Sequence, residues 1–240
     1  MSRFTENLKH IFFPPKCMFC GKSIDKSRPD TNLVCSCCKE NLPYTKNDGC
    51  FPSYDLDSIA YTISPLEYHR GVDEAVRGLK FKRKRSYAPV FAAFMCDYLR
   101  HVPEVCCVDM VIPVPLGKQR LQERGFNQSG LIGASIAAAL GLPFSADILL
   151  RIRETKRQSG LNKQERMHNV MGAFAATEAL ENMTILLVDD VYTTGSTAIA
   201  CARALKAVGA GKIILATAAI AGQHYERDGA EEDLLSFRRL

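Results

Sequence analysis

The chain has 240 residues, 47% of them hydrophobic, and carries a formal net charge of +5. That content supports one globular domain with a buried core plus a smaller module, and it excludes an intrinsically disordered chain. No apolar run approaches the roughly 20 residues needed to cross a bilayer, so no membrane insertion is expected and a cytoplasmic location is.

Ten cysteines in a chain with no export signal read as thiolate ligands or buried thiols rather than disulfides. Cys17, Cys20, Cys35 and Cys38 form two Cys-x-x-Cys pairs, the spacing of a tetrahedral Cys₄ zinc site, with Cys37 as the spare. Residues 1–45 are therefore expected to be a zinc-ribbon module and residues 46–65, rich in Asp, Ser, Tyr and Pro, a connector with a short strand over 58–63. A main domain over 66–221 and a charged tail over 222–240 complete the expected organisation.

Apolar residues at helical spacing predict helices over 71–81 and 88–102. Between them lies the basic run Lys80-Phe81-Lys82-Arg83-Lys84-Arg85. It reads as a solvated turn or, with Phe81 inside it, as a track for single-stranded DNA. A buried strand is predicted over 107–114 and a helix over 127–140, stopped by Gly141 and Pro143. Cys96, Cys106, Cys107 and Cys201 lie in apolar segments and read as small buried residues. Residues 158–169 hold almost no apolar residues, carry charges of both signs, and read as a solvated loop or an exposed helix. Strand 184–188, helix 196–208 and strand 212–221 then make a strand-helix-strand unit, which implies a parallel α/β sheet flanked by helices.

The chemistry concentrates between the last two strands. Asp189 and Asp190 end a buried apolar strand, the place where open α/β sheets bind ligands. Adjacent carboxylates repel, so they call for a cation or a ligand with paired donors, such as a ribose diol. Thr193, Thr194, Gly195, Ser196 and Thr197 follow, with hydroxyls on four of five positions and backbone N–H groups at a helix start, which suits a phosphate dianion. Together they describe a ribose 5-phosphate site in one stretch of chain.

This stretch resembles the phosphoribosyl pyrophosphate (PRPP) motif of type I phosphoribosyltransferases, with Asp189, Asp190, Thr194 and Gly195 at its marked positions. The segments Phe12-Phe-Pro-Pro-Lys-Cys-Met-Phe-Cys-Gly, Val111-Ile-Pro-Val-Pro-Leu, Arg124-Gly-Phe-Asn-Gln and Arg151-x-x-x-Thr155-x-x-Gln158 are similar to those of the ComF family of competence-associated proteins. The resemblance implies a type I phosphoribosyltransferase-like parallel sheet with an N-terminal zinc ribbon. It implies a pyrophosphate loop at Pro113, Val114 and Pro115, with Arg120 and Arg124 nearby, and a hood loop at Thr155, Lys156, Arg157 and Gln158. The implied ligands are PRPP with Mg²⁺, with structural zinc. The implied role is DNA uptake in natural transformation through single-stranded DNA handling beside a helicase-like ATPase. Two other readings stay open: an orphan phosphoribosyltransferase of nucleotide metabolism, and a non-catalytic PRPP sensor.

Overall fold

Long apolar strands with β-branched residues, such as Thr184-Ile-Leu-Leu-Val and Lys212-Ile-Ile-Leu, can only be accommodated by burial on both faces of a sheet. The computed structural model describes residues 15–24, 33–46, 49–52, 55, 57–154 and 169–221. Its elements run in the order α1 (Ser36–Asn41), β1 (Cys50–Pro52), β2 (Tyr61–Ile63), β3 (Leu66–Glu67), α2 (Val72–Phe81), α3 (Tyr87–Leu99), a 3₁₀ turn (Pro103–Cys107), β4 (Met110–Pro113), α4 (Lys118–Arg124), α5 (Gln128–Leu140), β5 (Leu149–Arg151), β6 (Phe174–Ala176), β7 (Thr184–Tyr192), α6 (Ser196–Lys206) and β8 (Lys212–Ile220).

The main sheet has the order β1-β2-β8-β7-β4, with β3 pairing the far end of β8. Only the β1–β2 pair is antiparallel. β5 and β6 form a separate antiparallel ribbon. The period of two along β7 sorts its side chains between two cores. Leu186 and Val188 pack with α2, α3 and α5, whereas Ile185 and Leu187 pack with α6 and the β5–β6 ribbon. The result is an α/β parallel sheet covered on both faces.

Helix boundaries have local causes. Asn127 caps α5 by accepting from the Ser129 N–H at 3.1 Å, and Gly141, with φ 69°, ends it. The predicted strand over 107–114 is shorter than expected. Pro103 opens a 3₁₀ turn that runs through Cys107, so pairing starts only at Met110. Cys106 and Cys107 consequently lie exposed on that turn rather than buried, while Cys96 and Cys201 are buried as expected.

At the N-terminal end, Phe19 meets Phe91 and Phe94 of α3 edge-on, with ring centroids 6.2 and 6.0 Å apart. Aromatic pairs of this geometry add to area burial. Phe91 is fully buried in this contact. Phe91→Ala should therefore lower unfolding stability by about 3–5 kcal/mol in urea titration with an unchanged slope, because it leaves a cavity beside the Phe19 ring in a packed core.

Candidate functional site

Parallel pairing of β4 with β7 aligns Pro113 with Val188, and the Val114 N–H continues the ladder to the Val188 carbonyl at 2.8 Å. The β4 segment therefore leaves the sheet beside Val188, where β7 continues toward Tyr192. Between them lies a cavity of about 260 Å³, lined by Val114, Pro115 and Leu116 on one side and by Asp189 through Ala198 on the other. Arg120, Arg124, Gln128 and Ser129 close it from α4 and α5, and Tyr68, Lys80, Arg151 and Thr217 complete the wall.

Both acids sit within β7 itself, which continues to Tyr192 rather than stopping at Val188. Asp189 is half-buried and its Oδ1 accepts twice, from the Ser129 hydroxyl at 2.9 Å and the Asp190 N–H at 2.8 Å. Asp190 is buried, and its Oδ1 lies 2.8 Å from Lys80 Nζ. Its Oδ2 is buried with no hydrogen-bond partner among the described residues. A buried acceptor of that kind is a place where a donor from a ligand gains a full hydrogen bond.

Thr193 to Thr197 form the turn into α6. Gly195 has φ 74°, and a Cβ there would stand 2.6 Å from the Tyr192 hydroxyl, so both the backbone and the space require glycine. Thr194 Oγ1 and Ser196 Oγ are 2.9 Å apart. The N-cap residue Gly195 supplies no side-chain hydrogen bond, and Ser196, Thr197 and Ala198 at the helix start line the cavity.

Charge in the cavity is lopsided: Lys80, Arg120, Arg124 and Arg151 face Asp189 and Asp190. Burial, and next the neighbouring Asp190 carboxylate, push Asp189 up to about 7, while Lys80 and the two hydrogen bonds act in the opposite direction. Burial also lowers Arg124 from its ordinary value, against the attraction of Asp190. Arg124 stacks on the Phe81 ring, 5.0 Å from its centroid, and donates to Gln128 Oε1 at 2.8 Å.

The structure thus brings together Asp189, Asp190, Thr193, Thr194, Gly195, Ser196, Thr197, Val114, Pro115, Arg120 and Arg124. Pro113 is the exception, since it is the buried last residue of β4 and its ring stays in the sheet. The hood residues Thr155, Lys156, Arg157 and Gln158 lie outside the described residues. Sequence reasoning missed Lys80, Tyr68, Ser129, Arg151 and Thr217. Ser129 was within reach, being the second residue of a capped helix beside the Arg124-Gly-Phe-Asn-Gln segment, but nothing local marks Lys80 apart from Lys82 or Lys84.

A second cluster lies in the N-terminal module. The Sγ atoms of Cys17, Cys20, Cys35 and Cys38 all lie within 4.8 Å of one another, while Cys37 is exposed and apart from them. The Cys35 and Cys38 N–H groups donate to the Sγ atoms of Cys17 and Cys35 at 3.5 and 3.4 Å. Burial opposes ionisation of Cys17, yet N–H groups of Cys35, Cys20 and Phe19 bring it down to about 7. Burial, then the adjoining thiols of Cys20, Cys35 and Cys17, push Cys38 up. Four thiols this close ionise together only around a cation, so the set suits a soft metal ion such as zinc.

Residues 129–234 match the phosphoribosyl transferase domain family, which gives the class of this strand-end cavity, a phosphoribosyltransferase domain. DNA utilization protein YhgH of Salmonella typhi is 30% identical over 154 residues, spanning 63% of this chain and 68% of that protein. Competence protein F of Haemophilus influenzae is 27% identical over 228 residues, 84% of this chain and 95% of that one. Adenine phosphoribosyltransferase of Leishmania tarentolae aligns over 80% of this chain and 74% of its own, with 16% identity and a TM-score of 0.36. The chain belongs to the family of YhgH and competence protein F, the ComF family.

The raised Asp189 carboxyl makes stability depend on pH. Between its ordinary value of 3.8 and about 7, the folded protein holds a proton that the unfolded chain releases, so this group's contribution falls as pH rises through that window and is fully lost above it. Asp189→Asn keeps an acceptor for Ser129 and removes the charge. The variant should gain on the parent by roughly 1–3 kcal/mol between pH 5 and pH 8, read from urea unfolding at both values. A constant difference across that range would contradict the assignment.

Proposed function

We propose that the chain binds PRPP with Mg²⁺ in the strand-end cavity and acts in the handling of single-stranded DNA during uptake. The observation that carries the ligand reading is the meeting, in one cavity, of the Asp189–Asp190 pair with the hydroxyl-rich helix start at Thr193 to Thr197, under four cationic side chains. In this reading the acids accept from the ribose hydroxyls, the helix start holds the 5-phosphate, and Arg120 and Arg124 face the pyrophosphate beside the Val114 to Leu116 loop. The unpartnered Asp190 Oδ2 fits such a hydroxyl. Mg²⁺ would be held with the ligand beside Asp189 and Asp190 and would neutralise charge on the pyrophosphate. The acids orient the sugar and shuttle no proton. Thr155 to Gln158 are assigned the hood loop.

Module 1–45 is assigned structural zinc through Cys17, Cys20, Cys35 and Cys38. Residues 46–65 serve as a connector that lends β1 and β2 to the sheet, 66–221 form the phosphoribosyltransferase-like domain, and 222–240 the tail. Elemental analysis should find about one zinc per chain. Cys38→Ser should lose it together with stability, because structural zinc contributes folding free energy directly.

The DNA part rests on the names of the relatives and on the surface beside the cavity. Phe81 is 68% exposed, Lys82, Arg83, Lys84 and Arg85 are exposed around it, and Arg85 lies 4.8 Å from the Phe126 ring centroid. Interleaved cations and aromatic faces are what single strands bind, through phosphates and stacked bases. A helicase-like ATPase is the expected partner in that role.

One titration series separates the readings. Asp189→Asn with Asp190→Asn should weaken PRPP binding by roughly a hundredfold or more, since each hydrogen bond to a charged acceptor contributes about 1.5–3 kcal/mol. The same protein should bind single-stranded oligonucleotide as the parent does, with affinity falling steeply in salt. Replacing Lys82, Arg83 and Arg85 by Ala should flatten that salt dependence and leave PRPP binding intact. Oligonucleotide binding absent at low salt, with pyrophosphate released from PRPP onto a nucleobase, would instead mark an orphan phosphoribosyltransferase. PRPP binding with neither property would mark a sensor.

A further inference from the structure

The basic run after α2 is divided by the fold. Four of its cations, Lys82 to Arg85, are exposed, but Lys80 turns the other way, into the phosphosugar cavity. The cause is the register of α2. Val72, Ala75, Val76 and Leu79 bury one face of the helix, and Lys80 stands one turn beyond Val76 on the edge of that face. Its side chain is 21% exposed and that of Asp190 6%, and the two meet at 2.8 Å. An ion pair this sheltered contrasts with the exposed Arg77–Asp73 and Arg100–Asp97 pairs, which solvent screens.

Resting on the PRPP reading above, we propose that Lys80 is a further ligand-binding residue of this cavity: a cation that holds Asp190 until a ligand arrives and then pairs with the diphosphate end of a sugar diphosphate. Both halves follow from competition for one carboxylate. A ribose hydroxyl that donates to Asp190 Oδ2 shares the carboxylate with the Lys80 ammonium on Oδ1 and weakens that pairing in a partly desolvated cavity. A ligand that brings anionic oxygen beside the hydroxyls restores its pairing. A ligand that lacks it leaves the ammonium with a weakened counter-ion, at a cost. The 5-phosphate does not serve this purpose, because it has its own seat at Thr193 to Thr197. Lys80 thereby makes the cavity select sugar diphosphates over sugar monophosphates, through a residue that neither the acid pair nor the Thr193 to Thr197 turn contains.

The test is isothermal titration of the full chain with PRPP and, separately, ribose 5-phosphate, each with Mg²⁺, for the parent, Lys80→Met and Lys80→Arg. Lys80→Met keeps the apolar stem and removes the charge. It should weaken PRPP by about tenfold or more while ribose 5-phosphate binds as before or tighter, and Lys80→Arg should recover most of the PRPP affinity. Such a split between two ligands is not produced by a merely structural lysine. Equal losses for both ligands, or unchanged PRPP affinity in Lys80→Met, would overturn the proposal while leaving PRPP binding by the parent intact. A parent that binds neither ligand would instead remove the underlying reading and this proposal with it. Should thermal melting show that Lys80→Met is unfolded, Lys80→Gln takes its place, with the same split required.

Discussion

Two adjacent carboxylates at the end of a buried strand repel each other where little water can screen them, and much of the surrounding structure answers that repulsion. Lys80 pairs with Asp190 at 2.8 Å, Ser129 and the Asp190 amide donate to one oxygen of Asp189, and burial holds the Asp189 carboxyl up near neutrality. One acid is paired and the other resists ionisation. The arrangement stays strained in one respect, because Asp190 keeps a buried oxygen with no donor. A folded protein retains an uncompensated acceptor of this kind mainly where binding supplies the missing partner.

Helix α2 connects this centre to the rest of the molecule. Its first residue follows Gly71, whose φ of 88° brings the backbone so close to Phe19 that a Cβ would stand 2.6 Å from the Phe19 carbonyl oxygen. Its last turn delivers Lys80 to Asp190. Phe19 lies between two of the clustered cysteines in sequence, and its ring packs edge-on against α3. The cysteine module and the cavity are therefore linked by a single ten-residue helix with close packing at each end.

Parallel strand order does the remaining positioning. Strand β4 ends at Pro113, level with Val188, and β7 runs on to Tyr192, so the turn after Pro113 and the end of β7 with its following turn border the same cavity although they are far apart in sequence. The α5 cap at Asn127 fixes this border further: its side-chain amide donates to the Val114 carbonyl at 3.0 Å while its oxygen caps the helix that carries Ser129. One side chain thus sets both the turn beside β4 and the residue that supports Asp189.

The sequence by itself determined the features that depend on near neighbours. The strand-turn-helix around Asp189 to Thr197, the glycine at 195, the two Cys-x-x-Cys pairs and the alternation of strands with helices are all local patterns, because hydrogen-bond periodicity, turn conformation and ligand spacing act over a few residues. Only the tertiary structure decided which distant groups share a space. Lys80 looks like any member of a basic run until the register of α2 turns it inward, and Pro113 looks like a loop residue until pairing with Val188 keeps it in the sheet. Cys106 and Cys107 sit among apolar residues in sequence, yet the 3₁₀ turn begun at Pro103 exposes them. Burial and charge pairing are properties of packing between elements, and no short-range pattern encodes them.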